Sequence, residues 1–296
     1  MSTSETNRRL RIAGKKGARV GTPVFLPSKE VAEYFDNKGY KLLASPRLFP
    51  GQKLIVASQG SDATLYLAYY GEGDEVGYHH FEHDASNPGN WSVTVPELAG
   101  PIFEIGFLFE KDATIDVDFI KWEGAPNVVF ERAQHKGSMW RRAWVNAVDH
   151  LPPWYPNEMF RLVQNEGLGM LSQGTKEWMD YEVSGDVQPH LVTRAGIAAR
   201  VQGLSRFYAL FVTQDQKLQL VKKVHQETVL AEAPFAWELG EQINLTLRVA
   251  GNEITGSVNG AERVSAQDDA LSAGAIGLLV DAGRTSTSRV EVKALS

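Results

Sequence analysis

The feature that most constrains this chain is a run of apolar–polar alternations between Gly196 and Gly260, interrupted by turn residues. In the clearest part, alternation continues on both sides of the turn Ala250-Gly251-Asn252. Its apolar positions are Ile243, Leu245, Leu247, Val249, Ile254 and Val258. Because successive side chains of a strand point to opposite faces, one face of this hairpin lies in a core and the other faces solvent. The pattern predicts consecutive antiparallel strands in a sandwich or barrel.

The same analysis applied to the whole chain predicts an all-β protein with two β-sandwich domains and one short N-terminal helix. A chain of 296 residues has room for two domains of ordinary size. We expect a flexible tail over residues 1–22 and a helix plus the first β-sandwich over residues 23–126. A Trp-rich connecting segment over residues 127–158 precedes a jelly-roll β-sandwich over residues 159–296, with about a dozen short strands.

The single predicted helix falls within residues 23–39. Ser28 is its expected N-cap, and Glu30 lies in the first turn, where the helix dipole favours negative charge. Gly39 is placed where a helix commonly ends. The apolar stripe of this helix consists of Val31, Tyr34 and Phe35.

The connecting segment is rich in aromatic residues, namely Trp140, Trp144, Trp154 and Tyr155. We predict that it packs across both sandwiches and that its aromatic rings fill their interface. The alternative is that these rings are exposed and bind a partner protein or a sugar.

Composition excludes several function classes. The net charge is −6 and the basic residues are scattered, which excludes the positive footprint that nucleic acid requires. No apolar run approaches the ~18 residues that span a bilayer. The first residues lack the apolar core of a secretory signal, which favours a cytoplasmic location. The chain has no Cys, so disulfides, thiolate metal sites and Cys nucleophiles are excluded. The sequence does not define an oligomeric state.

A candidate sugar site precedes the central run. Trp178, Asp180 and Glu182 are predicted to share one strand face, opposite Met179 and Tyr181. An aromatic plane beside carboxylates suits a sugar, because the ring stacks on C–H surfaces and the acids bind hydroxyls. We expect three residues from neighbouring strands to complete the site: Arg200, Tyr208 and Arg248. The alternatives are a solvated outer face and, for Tyr208, a position in the core.

Two clusters suggest metal or acid–base chemistry. One cluster could supply imidazole and carboxylate ligands to a metal ion. It consists of His79, His80 and His83 with Glu82 and Asp84, and we predict that it lies in an exposed loop. Asp116 and Asp118 share a strand face, which suits calcium or acid–base catalysis as well as an ordinary half-exposed strand. We therefore predict no metal centre and no cofactor, and leave a structural calcium ion open.

Several segments together resemble a known family. They are LLASPRLFPGQKLIVA, VDFIKWEGAPNV, MWRRAWVNAVDH, FRLVQNEGLGMLSQGTKEWMDYEV, GIAARVQGLSRFYAL and LTLRVAGNEITGSVNG. Residues 40–295 are similar to the non-catalytic C-terminal β-sandwich region of bacterial ADP-ribosylglycohydrolase family proteins. The second half looks like a concanavalin A-like jelly roll, a fold that often binds glycans. No position matches the acidic, magnesium-binding residues of the family's helical catalytic domain, so none is carried over.

These observations predict a non-catalytic carbohydrate-binding protein, an accessory to a separate catalytic hydrolase. Its ligand is a glycan or another sugar-containing molecule. The first alternative is a jelly-roll glycoside hydrolase or polysaccharide lyase without a familiar signature, for which Asp180 and Glu182 are the first carboxylate pair to consider. The second alternative is a structural protein–protein interaction module. Fold analogy alone does not choose among the three.

Overall fold

The computed structural model describes residues 9–25, 29–37, 44–60, 62–82, 89–134, 136–152, 155 and 157–295. Two β-sandwiches account for most of them, as the alternation predicted. The helix α1 (Lys29–Asn37) falls within the predicted range, and Val31 and Tyr34 on it are exposed. Its expected N-cap Ser28 and end signal Gly39 lie outside the described residues.

The first sandwich packs two antiparallel four-stranded sheets against each other. Its strands are β1 (Leu10–Gly14), β2 (Arg19–Pro23), β3 (Lys53–Gln59), β4 (Ala63–Tyr70), β5 (Val76–His80), β6 (Asn90–Thr94), β7 (Ile102–Phe109) and β8 (Ala113–Glu123). One sheet has the order β1-β8-β3-β6, the other β2-β7-β4-β5. Inward-facing apolar residues of both sheets, such as Leu54, Leu65 and Phe107, form its core.

The prediction of a flexible tail over residues 1–22 is wrong for Leu10–Gly14 and Arg19–Pro23, which are strands. Residues 1–8 lie outside the described residues. The physical reason is long-range pairing: β1 lies beside β8, and Arg11 forms an ion pair with Asp116. A polar sequence joins a sheet when another strand supplies its hydrogen bonds and charges.

The second sandwich packs a six-stranded sheet against a seven-stranded one. Its strands are β9 (Val128–Glu131), β10 (Val145–Ala147), β11 (Phe160–Gln173), β12 (Tyr181–Gly203), β13 (Arg206–Thr213), β14 (Lys217–Val224), β15 (Gln226–Pro234), β16 (Ile243–Ala250), β17 (Glu253–Val258), β18 (Ala261–Gln267), β19 (Ala275–Thr287) and β20 (Arg289–Ala294). We call the sheet β9-β20-β12-β16-β17-β18 the short sheet and the sheet β10-β11-β19-β12-β13-β14-β15 the long sheet.

The strand β12 belongs to both sheets. Tyr181–Val187 pair with β16 and β20 in the short sheet, and the pairing from Gln188 onward is with β19 and β13 in the long sheet. The change occurs at Pro189, which has no N–H to donate to a ladder. One continuous strand therefore forms the corner of the sandwich.

The predicted hairpin around Gly251 is confirmed. The strands β16 and β17 pair with Val249 opposite Ile254, and Gly251 has φ 56°, which suits glycine in a turn. All six of its predicted core positions are buried. They are Ile243, Leu245, Leu247, Val249, Ile254 and Val258.

The connecting segment contacts both sandwiches. The helix α2 (Met139–Arg142) is bound to the first sandwich at its N-terminus. There the backbone N–H groups of Ser138 and Met139 donate to the Asp74 carboxylate. Trp144 is buried against Phe130 and Phe160 in the core of the second sandwich. Trp154 lies outside the described residues. A buried Trp144 is not available as an adhesive surface.

Candidate functional site

The outer face of the long sheet is concave. Arg194 of β12 and Glu227 of β15 are three strands apart in the sheet, and yet their side chains bond at 2.6 and 2.9 Å. Flat strands spaced by about 4.8 Å would hold these residues too far apart, since register separates them further along the strands. The sheet therefore curls towards this face.

The floor of the concave face is apolar and closed. Outward-facing side chains on β11, β12, β13, β14 and β19 form one buried cluster. They include Met170, Ala198, Phe207, Ala209, Phe211, Val221 and Leu279. The Arg194 guanidinium lies 4.5 Å from the centre of the Phe211 ring, a cation–π arrangement. Longer polar side chains thus cover a hydrophobic floor.

A shallow, open depression of about 550 Å³ lies above that floor, and we call it the concave cleft. The residues that line it are Thr193, Arg194, Thr213, Gln214, Asp215, Gln219, Glu227 and Asp281. One of these side chains is cationic and three are acidic, so the cleft carries net negative charge.

Arg194 is held rigidly at the centre of this cleft. Its Nε donates to Asp281 at 2.8 Å, and its two Nη groups donate to Glu227. Burial opposes the charge, but these two carboxylates outweigh that effect and raise the pKa of Arg194. The three bonds use three of its five N–H groups, which leaves two that can donate to a ligand.

The carboxylates around Arg194 keep acceptor capacity. Each has two oxygens with several lone pairs, and an arginine fork occupies only part of them. Gln219 donates to Glu232 at 3.1 Å, and Asp215 accepts from Thr213 at 2.5 Å. The bond from Thr213 lowers the pKa of Asp215, so this carboxylate is charged at neutral pH. The cleft offers oriented acceptors with a few donors.

Three of the residues predicted to bind sugar are instead part of the core. Trp178, Arg200 and Tyr208 are each at most 1% exposed. The predicted alternation fails because β12 begins at Tyr181, so Trp178 lies in the preceding loop and its ring packs on Phe49. A fully buried ring has no face to present to a sugar.

Arg200 and Tyr208 have structural partners. The Arg200 guanidinium donates to three backbone carbonyls and to Asp180. Tyr208 donates to Asp268 at 2.6 Å, and burial together with that carboxylate raises the pKa of Tyr208. These contacts tie the long sheet to the loops around Gly251 and Leu271.

The other three predicted residues are partly exposed near one end of the short sheet. Glu182 and Arg248 are register partners on β12 and β16. Asp180 accepts from both Arg200 and the Gly251 N–H, so it belongs to a structural network. This end of the sheet and the concave cleft are on different sheets, and the structure does not bring the six residues together.

The metal and catalytic candidates have ordinary roles where they are described. His79 and His80 lie on β5 and not in a loop as predicted, and as neighbours on a strand they point to opposite faces. His83 and Asp84 lie outside the described residues. Asp116 and Asp118 pair with Arg11 and Arg9. Among the described residues, no group of three or more His, Asp or Glu is placed to hold a metal ion.

Sequence reasoning did not find the residues of the concave cleft. Arg194 and Asp281 are polar residues beside long apolar stretches of β12 and β19, and this is the signal that marks them, whereas Gln219 shares β14 with three lysines and carries no such signal. Because a central strand of a sandwich usually alternates, one polar residue on an apolar outer face points to a functional position. Glu227 carries no such signal, because β15 is mostly exposed.

Neither helix in the described part of the chain is long or apolar enough to cross a membrane. The fold and the cleft together define an all-β protein of two sandwiches with a polar, concave sheet face. No family model matches the chain, and no curated protein matches it.

Solved structures of similar shape are found. A carbohydrate-binding module CBM66 from Bacillus subtilis is 14% identical, with 51% of this chain and 94% of that chain covered and a TM-score of 0.46. A Bacillus subtilis protein of unknown function with a galectin-like fold is 12% identical, with 57% and 99% covered and a TM-score of 0.42. A Bacillus licheniformis beta-glucanase is 11% identical, with 57% and 98% covered and a TM-score of 0.40. These are likenesses of fold and assign no activity to this chain.

Proposed function

We propose that this protein binds saccharides in the concave cleft and releases them unaltered. The observation that carries the proposal is Arg194, held between Glu227 and Asp281 above an apolar floor. Saccharide hydroxyls both donate and accept hydrogen bonds. The cleft supplies acceptors on the carboxylates and two free N–H groups on Arg194, all fixed before a ligand arrives. Preformed geometry lowers the entropic cost of binding.

The charge of the cleft selects among saccharides. Three acidic residues, Asp215, Glu227 and Asp281, line it. Arg194 is paired with the last two and Lys217 lies 3.6 Å from Asp215, so the carboxylates outnumber the cations. A uronic or sialic acid would bring a further negative charge into this field, which disfavours binding. The ligand class that fits is a neutral saccharide, bound through its hydroxyls and not by ring stacking, because Arg194 covers Phe211.

The test is a titration of the purified chain against neutral oligosaccharides of glucose, galactose, xylose and fructose, with oligogalacturonate as the acidic counterpart. We expect Gln219→Ala and Arg194→Ala to weaken binding of a neutral saccharide by about tenfold or more, since each removes bonds in the cleft. Arg248→Ala, on the short sheet, is the matched control. It should bind like the unchanged protein. Equal binding by all variants would refute the assignment to the cleft.

The same titration checks catalysis. Recovery of intact saccharide supports a binding protein, whereas shortened products would favour the glycoside hydrolase or lyase alternative. The resemblance to ADP-ribosylglycohydrolase-associated regions supports the further proposal that the protein serves a separate hydrolase. Addition of ADP-ribose to the titration tests whether such a hydrolase's substrate class also binds here.

A further inference from the structure

A second pocket, of about 370 Å³, lies where the two sandwiches meet, and we call it the interface pocket. Ligand pockets typically have volumes of about 300–1,000 Å³ and often lie at domain interfaces. Most of its lining is apolar and contributed by both sandwiches and the connecting segment. The principal apolar side chains are Leu48, Phe49, Leu98, Ile102, Phe130, Trp140, Trp144 and Met159.

The walls of this pocket are fixed by aromatic packing. Phe130 lies edge-on to Trp144 at 5.2 Å and edge-on to Phe49 at 6.4 Å. Phe49 in turn contacts Trp178 at 4.9 Å, which ties the first sandwich to the second. Edge-to-face contacts of this kind are favourable and hold rings in place. The pocket is therefore preformed.

One polar side chain in this lining lacks a partner. Gln173, at the end of β11, is 3% exposed, and its Oε1 accepts no hydrogen bond from the protein. Buried polar atoms in folded proteins are almost always bonded, because an unpaired one costs free energy. An acceptor in an apolar lining is suited to a molecule that brings a single donor.

The other polar side chains of the lining are Glu131, Arg132 and Gln134, of which Glu131 and Gln134 are exposed. Arg132 donates to the Tyr155 carbonyl at 2.7 Å, and Gln134 donates to the Arg132 carbonyl. These bonds hold the segment after β9 in place. Few hydrogen-bonding groups thus remain for the many hydroxyls of a sugar, which sets this pocket apart from the concave cleft.

We propose that the interface pocket is a binding site for a small aromatic molecule with one hydrogen-bond donor, which bonds to Gln173. A cavity of about 150 Å³ with Leu, Ile and Phe walls holds one benzene ring. A volume of about 370 Å³ admits a fused two-ring molecule, and the aromatic walls favour edge-to-face contact with it. This site is independent of the saccharide proposal.

Indole and 1-benzothiophene test this proposal, because they share one shape and only indole has an N–H donor. We expect titration calorimetry to show both binding, with indole tighter by about fivefold to tenfold, the usual value of one neutral hydrogen bond. In Gln173→Leu, indole should weaken to the level of 1-benzothiophene. Gln59→Leu, at an exposed glutamine that ends β3, is the matched control and should keep the preference for indole.

The melting temperature of Gln173→Leu distinguishes a ligand-binding role of Gln173 from a structural role. Replacing an amide whose buried oxygen is unpaired by an apolar side chain of similar size removes the desolvation cost of that oxygen, so Gln173→Leu should melt no lower than the unchanged protein. A lower melting temperature with an unchanged indole preference would overturn the proposal. So would the absence of binding by either compound, or equal affinities of the two compounds for the unchanged protein.

Discussion

Arg200 is a charged side chain enclosed by the second sandwich, with 1% of its surface exposed. Its guanidinium donates to the carbonyl oxygens of Met179, Gly251 and Leu271 and to Asp180. Its backbone has φ 50°, at the point where the pairing of β12 shifts register. A charge buried in this way is tolerated because four of its five N–H groups meet an acceptor.

Removing Arg200 should therefore be costly. We expect Arg200→Ala to lower the free energy of unfolding by about 3 kcal/mol or more, because four acceptors lose a buried donor. Arg248→Ala, at a partly exposed arginine that pairs with Glu253 at 3.4 Å, should change it by less than about 0.5 kcal/mol. Urea unfolding measures both. Similar losses for the two variants would contradict this account of Arg200.

Arg200 is buried and Arg248 is partly exposed, and the sequence around each of them does not predict this difference. Both follow apolar neighbours and alternate with them, so their patterns are alike. The burial of Arg200 depends on loops far along the chain, at Gly251 and Leu271, which no local pattern contains. The same holds for Trp178, whose partner Phe49 belongs to the first sandwich. Local alternation does predict the core of the hairpin around Gly251.

Among the described strands, β12 pairs with the most neighbours, namely β13, β16, β19 and β20. At Gly196 it passes so close to β13 that a Cβ atom there would lie 2.0 Å from the Leu210 carbonyl oxygen. Gly185, earlier on the same strand, has more room, and its nearest contact would be the Ile197 side chain at 3.2 Å. Gly196 thus tests how tightly the long sheet is packed, and Gly185, in the short-sheet part of the same strand, is its comparison.

We expect Gly196→Ala to destabilise the protein by about 3 kcal/mol or more, because the clash is with backbone that cannot move without breaking the ladder. Gly185→Ala should cost less, since a side chain can shift by a few tenths of an ångström. Thermal melting followed by circular dichroism compares them. The account of packing fails if Gly185→Ala is the more damaging substitution.

Element lengths were harder to predict than element types. The sequence predicts a strand around Glu182 and further strands from Gly196 onward, but the 23 residues Tyr181–Gly203 form one continuous bent strand. Only the two sets of partners, in different sheets, show that the strand is continuous. The strands β1 and β2 were missed for a related reason, because their partners β8 and β7 lie far along the chain.

On the scale of the whole molecule, several contacts among the described residues join the first sandwich to the connecting segment and to the second sandwich. Asp74 of the first sandwich accepts the N–H groups of Ser138 and Met139. Ser45 accepts the N–H of Gly174 at 2.8 Å. Phe49 and Ala125 flank strands of the first sandwich, and their side chains pack into the core of the second sandwich. These shared residues couple the two halves energetically.

We therefore expect scanning calorimetry to show one cooperative unfolding transition for the unchanged protein. Asp74→Asn weakens the charge-assisted bonds to Ser138 and Met139, so it should broaden that transition or split it in two. Glu72→Gln, a neutral change nearby in the same turn, serves as the control. Two separate transitions in the unchanged protein would show that the coupling is weak.

The two sandwiches could be predicted from the sequence because alternation and turn residues recur along both halves, but Val128–Glu131 and Val145–Ala147, within the predicted connecting segment, are strands of the second sandwich. The contact between the two sandwiches could not be predicted. It depends on Asp74, whose φ of 63° places its carboxylate against α2, and on single side chains such as Phe49. The concave cleft is likewise a product of sheet curvature, which brings Arg194 and Glu227 together.

The position of β12 in both sheets has a consequence for how the chain acquires its structure. Only its pairing with β13 is local, through the tight connection Gly203–Arg206. Its partners β16, β19 and β20 follow only after long stretches of chain, so their contacts require closure of large loops. Folding rates fall as contacts become less local. We therefore expect the corner of the sandwich to slow folding, with β13 as the first of the four partners that β12 acquires.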